Sequence, residues 1–210
     1  TTKANLGAGG SFNFTVYCAW SNDYNYSNDT IANYIVAPKS VINTYPYHES
    51  FNLSTTDWTP TGGAERWKIA GILTNPSMGP HTGSYMAVFN ADTFANNAVS
   101  KLTSPCFDFT NLNSHATLSF YVTLNNLNSL KKDSLHVMVS TSDGASWTNL
   151  NSFSRYNVSY TTPQWCRVDI DISQYAGQPK ALIAFEAVGH QGTRFAIDDI
   201  YIYNSGIRVN

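Results

Sequence analysis

Every convincing periodic segment of this chain alternates apolar and polar side chains with a period of two, and no window carries the apolar stripe of an amphipathic helix. SFNFTVYCAW (11–20), SYMAVFN (84–90), ATLSFYVTLN (116–125), SLHVMVSTS (134–142), WCRVDIDIS (165–173) and KALIAFEAVG (180–189) all read as strands. Successive side chains of a strand point to opposite faces. Leu118, Phe120 and Val122 therefore share one face, and Thr117, Ser119 and Tyr121 the other; Leu135, Val137 and Val139 repeat the pattern. Short strands broken by Gly, Pro, Asn and Asp loops predict an all-β fold, an antiparallel β-sandwich or a jelly roll.

One further strand, FAIDDIYIY (195–203), breaks its own pattern, because Asp198 and Asp199 stand side by side in an otherwise apolar run. Burying a carboxylate costs several kcal/mol or more unless it is paired or bound to a cation. Strict alternation sends the two aspartates to opposite faces, one toward the inter-sheet core and one to solvent. The inward one needs a cation, an arginine (Arg167 or Arg194) or backbone donors.

Charged residues make up only 12% of the chain, with a net charge of −2 and no basic cluster beyond Lys131-Lys132, so nucleic acid is not an expected partner. No apolar run approaches the roughly 18 residues of a membrane span. No signal peptide opens the chain, which begins mid-pattern and is expected to be part of a longer polypeptide. Cys18, Cys106 and Cys166 lack any metal-ligand spacing and are odd in number; they read as small, mostly buried thiols, with one disulfide as the alternative. His48-Glu49 lacks the second histidine of a zinc-peptidase motif, and no nucleophile elbow or phosphate loop occurs. His48, His81 and His190 fall in loops or at strand ends and read as exposed. An enzyme is the least favoured class.

An ordered set of features across 46–203 goes further. YHESFN brings an acid into the first strand, and DWTPTGGAERWKI follows as a Trp-containing loop; HTGSYMAVFN opens a strand with a Gly-Ser turn. KLTSPCFDFTN, ATLSFYV, DSLHVMVSTSDGASWTNL, QWCRVDIDISQYAGQPKALIAFEAVG and FAIDDIYIY complete the series. This order resembles the MAM-like jelly-roll modules, and among them the cleaved-adhesin domains of secreted Bacteroidetes proteins such as the gingipain haemagglutinin/adhesin regions. The resemblance implies a structural calcium held by Glu49 of the first strand and by Asp198 or Asp199 of the last, with carbonyls around Ser84 or the side chain of Asn90 completing the shell. It also implies a secreted or cell-surface protein.

Residues 1–44 hold too few strands for a core of their own. LGAGGSFNFT and SNDYNYSNDT resemble the end of an immunoglobulin-like module, so 1–44 are expected to be its closing strands plus a linker; extra strands packed on the main domain are the alternative. Residues 45–204 form the jelly-roll body, and 205–210 begin a linker resembling the junction before a type IX secretion sorting domain. In STSDGASW, Asp143-Gly144 reads as a hairpin turn with Trp147 packed beneath it. Trp58 and Trp67 lie in the longest irregular stretch, 54–82; core packing is the preferred reading and ligand stacking the alternative. The loops 54–82 and 125–133 are the expected recognition surfaces. Five Asn-x-Ser/Thr sequons, at Asn13, Asn25, Asn28, Asn52 and Asn157, fit the Asn- and Ser-rich composition of a bacterial protein. The expected role is non-catalytic adhesion or attachment to a host or matrix protein or a glycan, alongside other domains of the same polypeptide. An accessory domain of a secreted peptidase or glycoside hydrolase, with no ligand of its own, is the alternative.

Overall fold

The computed structural model describes residues 41–61, 67–93, 95–127, 130–154 and 157–205, and the backbone of 12–17 and 30–36. The chain divides into two compact units, Thr1–Ser40 and Val41–Asn210. In the first, β1 (Phe12–Tyr17) and β2 (Thr30–Val36) pair antiparallel. The immunoglobulin-like reading rests on side chains outside the described residues, as do Cys18, Asn13, Asn25, Asn28 and the tail 206–210.

The second unit begins four residues earlier than expected. Its β3 (Val41–Ile42) pairs in parallel with β11 (Cys106–Phe107), which ties the start of this unit to its interior. Next come β4 (Tyr47–Glu49), β5 (Thr59–Thr61), β6 (Lys68–Ala70), β7 (Leu73–Thr74), β8 (Ser77–Met78), β9 (Met86–Phe89) and β10 (Ala98–Thr103). After β11 follow β12 (Ala116–Leu124), β13 (Ser134–Ser140), β14 (Thr148–Ser154), β15 (Gln164–Asp171), β16 (Leu182–Gly189) and β17 (Phe195–Asn204). A five-stranded sheet runs β14-β13-β16-β10-β5, and a six-stranded sheet runs β15-β12-β17-β9-β6 with β4 also on β17. The expected loop 54–82 thus contributes short strands to both sheets.

The inward faces meet in one aromatic-rich core. Leu118, Phe120 and Val122 are buried on the predicted face of β12, as are Leu135, Val137 and Val139 on β13. The Phe120 ring meets Phe185 edge-on at 4.9 Å and Phe153 at 6.1 Å. Trp58 and Trp67 are 2% and 1% exposed. Trp58 packs on Phe185 and donates its indole N–H to the Tyr47 hydroxyl (2.8 Å), while Trp67 packs between Phe89 and Phe195. Neither ring is available to a ligand, which corrects the stacking alternative. Asp143 and Gly144 both adopt positive φ (54° and 85°), and a Cβ on Gly144 would lie 3.6 Å from the Trp147 ring, so the hairpin and its underlying tryptophan are present. Cys106 and Cys166 are free and half-buried.

Truncating Phe120 removes the ring on which both sheets converge. Phe120→Ala is expected to cost about 3–5 kcal/mol in a urea or guanidinium unfolding titration; a loss under ~1 kcal/mol would show that the site collapses around the gap.

Candidate functional site

Strand β17 is the spine of the six-stranded sheet. One flank pairs with β12 on both sides of residues 199–200, while the other is shared: β9 pairs with Phe195–Ile197, and β4 with Ile200–Ile202. Asp198 and Asp199 fall between these two short partners. On the β12 side the register slips at the same place, so that Ser119 faces Tyr201 and Tyr121 faces Asp198. The extra residue is a β-bulge. Asp199 takes up the slack with φ 47°, a left-handed conformation that aspartate tolerates better than most residues.

The bulge overturns strict alternation. Ile197, Ile200 and Ile202 all point into the core, so Asp198 and Asp199 lie together on the outer side of the sheet. Neither meets solvent: they are 0% and 1% exposed, covered by the segment around His81. Asp198 accepts from the backbone N–H groups of His81 (2.8 Å) and Thr82 (3.3 Å) through Oδ2, and from its neighbour's N–H (2.8 Å) through Oδ1. Asp199 lies between two imidazoles, His48 Nε2 at 2.8 Å and His81 Nδ1 at 2.6 Å, and the Thr82 hydroxyl donates to it at 2.8 Å. An ionised carboxylate only accepts, so both rings donate. Backbone donors and histidines thus fill the role for which Arg167 and Arg194 were considered. Arg194 pairs with Asp92 (2.8 Å) and Arg167 with Asp169 (3.0 Å).

The two carboxyls are pushed in opposite directions. Burial, reinforced by the neighbouring Asp199 charge, raises Asp198 to about 6 despite its backbone donors. Burial also opposes the charge on Asp199, but bonds from His81, His48 and Thr82 outweigh it and hold that carboxyl below its usual range.

The acidic residues expected to share a calcium stand on neighbouring strands but on opposite sides of the sheet. Glu49 is paired with Ile200, on the inner side of the register, and its carboxylate turns back onto its own loop to accept from the Phe51 N–H (2.8 Å) and the Thr56 hydroxyl (2.7 Å). Both aspartates lie on the outer side. Asn90 follows the end of β9 that pairs with Phe195, on the order of 10 Å along the strand from the aspartates. Ser84 is exposed, and its carbonyl packs against Gly71, where a Cβ would approach to 3.1 Å. Among the described residues, no group of three or more His, Cys, Asp and Glu side chains is arranged to hold a metal ion. This donor set does not fit a six- to eight-oxygen calcium shell.

Above the aspartates the outer face opens into a cleft of about 280 Å³ lined by His81, Ser119, Tyr121, Arg167, Tyr201 and Tyr203, with Thr82 and Asp199 at its base. His81 stacks on Tyr121 (ring centroids 3.6 Å apart, 17° between planes) and meets Trp165 edge-on at 5.9 Å. His48 stacks on Tyr201 (3.9 Å, 7°). Arg167 reaches across the strands, its Nε donating to Asp169 and a terminal nitrogen to the Tyr203 hydroxyl (3.2 Å). Sequence reading took His48 and His81 for exposed residues; His48 is exposed, but the bonds of both rings to Asp199 and their stacking on tyrosines were missed. The available signal was the outward register of Tyr121 with Ser119, and of Tyr201 with Tyr203.

Two measurements follow from this geometry. Because the folded carboxyl of Asp198 titrates near 6, above an unfolded value near ~3.9, its stabilising contribution is complete below pH ~4 and is lost as pH rises through 6. Relative to Asp198→Asn, the wild type is expected to lose on the order of 2–3 kcal/mol between pH 4 and 7; a difference flat with pH would refute the raised carboxyl. Adding EDTA is expected to leave the melting temperature unchanged, and a fall reversed by Ca²⁺ would show that this donor set rearranges into a calcium site.

The model of the MAM domain (meprin/A5/mu) matches residues 49–206. Among solved structures, the K2 cleaved adhesin domain of Lys-gingipain is 19% identical, with 77% of this chain and 99% of that one covered at a TM-score of 0.56. The K1 cleaved adhesin domain of Lys-gingipain from Porphyromonas gingivalis W83 is 16% identical, covering 78% and 100% at 0.57. The CBM27-1 module of Caldicellulosiruptor saccharolyticus, solved in complex with mannohexaose, is 13% identical, covering 77% and 98% at 0.50. A search of curated proteins found no match. The jelly-roll fold and the matched span together establish that the chain belongs to the MAM domain family.

Proposed function

We propose that this protein is a non-catalytic attachment module of a secreted or cell-surface protein, and that it holds a host or matrix protein or a glycan on the outer face of its six-stranded sheet. The observation that carries the reading is the aromatic cleft: three tyrosines and an arginine are gathered on a rigid sheet, beside carboxylates that are buried and bonded to histidines and backbone. Tyr and Arg are the residues on which binding surfaces concentrate their energy. Thr82 spends its hydroxyl on the Asp199 carboxylate, and each imidazole is fixed between that carboxylate and a tyrosine ring. Among the described residues, no helix is long and apolar enough to cross a membrane. The same fold serves as an adhesin domain in Lys-gingipain and holds mannohexaose in the CBM27-1 module, in keeping with attachment.

The purified chain should be retained on at least one member of a panel of immobilised extracellular-matrix proteins and neutral or acidic polysaccharides. Retention on none of them would overturn the attachment reading.

A further inference from the structure

The cleft on the outer face has a chemistry specific enough to name its ligand class. Across β15, β12, β17 and β4 the register aligns Asp169, Ser119, Tyr201 and His48 in one outward row. Ser119 is the small member, and the hollow opens over it. The neighbouring outward positions carry Arg167, Tyr121 and Tyr203, so large rings and a guanidinium surround a polar depression.

The rings are held before any ligand arrives. Tyr121 and Tyr201 each have one face covered by an imidazole, and both imidazoles are anchored on the buried Asp199. A ring covered on one side has only its other face to offer, and both rings line the cleft. Such prior fixing reduces the ordering cost of binding. Burial and the nearby Asp199 charge raise the Tyr201 phenol, which keeps its proton and remains a donor as well as an acceptor. Arg167 uses its Nε and one terminal nitrogen on Asp169 and Tyr203, and a guanidinium carries five N–H donors in all.

Three properties decide between ligand classes. The electron-rich ring faces attract the weakly positive C–H bonds on the flat side of a sugar ring. Ser119 brings a hydroxyl to the cleft, and Arg167 keeps N–H donors beyond those given to Asp169 and Tyr203, so the hydroxyls of a sugar find partners there that an apolar peptide side chain would leave unused. Arg167 is the one permanent cation of the lining; it is already paired with Asp169 and lies in a cleft whose base is a carboxylate, so an acidic sugar meets no surplus positive charge. The volume of about 280 Å³ falls just below the ~300–1,000 Å³ typical of drug-sized ligands, which suits a short saccharide unit.

We infer that the cleft over Ser119, walled by Tyr121, Tyr201, Tyr203 and Arg167, binds a neutral pyranose unit of a glycan, stacked on the tyrosine faces with its hydroxyls directed to Arg167 and the polar base. This inference rests on the attachment reading and narrows it to one ligand class and one surface.

The test is affinity electrophoresis of the full chain in gels containing soluble neutral polysaccharides (mannan, galactan, xylan) or an acidic one (polygalacturonate), run in parallel with binding to immobilised matrix proteins. Retardation by at least one neutral polymer is expected, weakened tenfold or more in both Tyr203→Ala and Arg167→Ala. Both side chains are outward-facing, and unchanged melting temperatures would show that the variants fold. Val99→Ala, at an exposed position on the five-stranded sheet, should bind as the wild type does. Retardation unaffected by both cleft variants, or by the acidic polymer alone, would overturn the inference. Binding to a matrix protein without binding to any neutral polysaccharide would overturn it while leaving attachment standing. Binding to neither would overturn both.

Discussion

One residue in a left-handed conformation governs the outer half of this molecule. Without the bulge at Asp199, alternation would drive a carboxylate into a core of Ile197, Ile200 and phenylalanine rings, at a cost of several kcal/mol. With it, both carboxylates move to the outer side and gather hydrogen bonds from His81, Thr82, His48 and the backbone of the bulge itself. Those bonds bind the segment around residue 81 to the middle of the sheet, at the gap where neither β9 nor β4 pairs with β17. Gly83 belongs to the same arrangement. Its φ is +63°, and Asn52 Oδ1 sits where a Cβ would be, so the turn after His81 closes directly onto the loop that follows β4.

The cleft is a consequence of this arrangement rather than a separate feature. Asp199 orients two histidines, the histidines fix two tyrosine rings, and the small Ser119 keeps the space between them open. Recognition therefore depends on rigid strands and on side chains locked by buried charge. Elements of this kind hold a binding geometry more tightly than loops do.

The sandwich was legible because its core strands carry their own evidence. Leu118, Phe120 and Val122, and Leu135, Val137 and Val139, alternate cleanly because one face of each strand is buried. The edge strand β14 (Thr148–Ser154) was not legible, since TNLNSFS is largely exposed and has no buried face to pattern it. The site was half legible. The aspartate doublet announced buried carboxylates, but a bulge is a property of two strands in register, and one strand's sequence does not contain it. The histidines were missed for a related reason: their partner lies more than a hundred residues away, and only pairing of β4 with the far half of β17 brings His48 to Asp199. Trp58 and Trp67 were ambiguous because they stand in irregular sequence; their burial comes from the short strands β5 and β6 that fold over the core.

Order of synthesis gives the position of β17 a kinetic meaning. It is the last strand of this unit to be made, and it lies at the centre of its sheet, in contact with β12, β9 and β4 at once. Until it arrives, those three strands have no common neighbour and expose unpaired edges, and the sheet cannot close progressively from one end. A nascent chain therefore cannot join the two halves of the six-stranded sheet until the aspartate doublet emerges, and a cut ahead of Phe195 would remove the middle of that sheet rather than trim its rim.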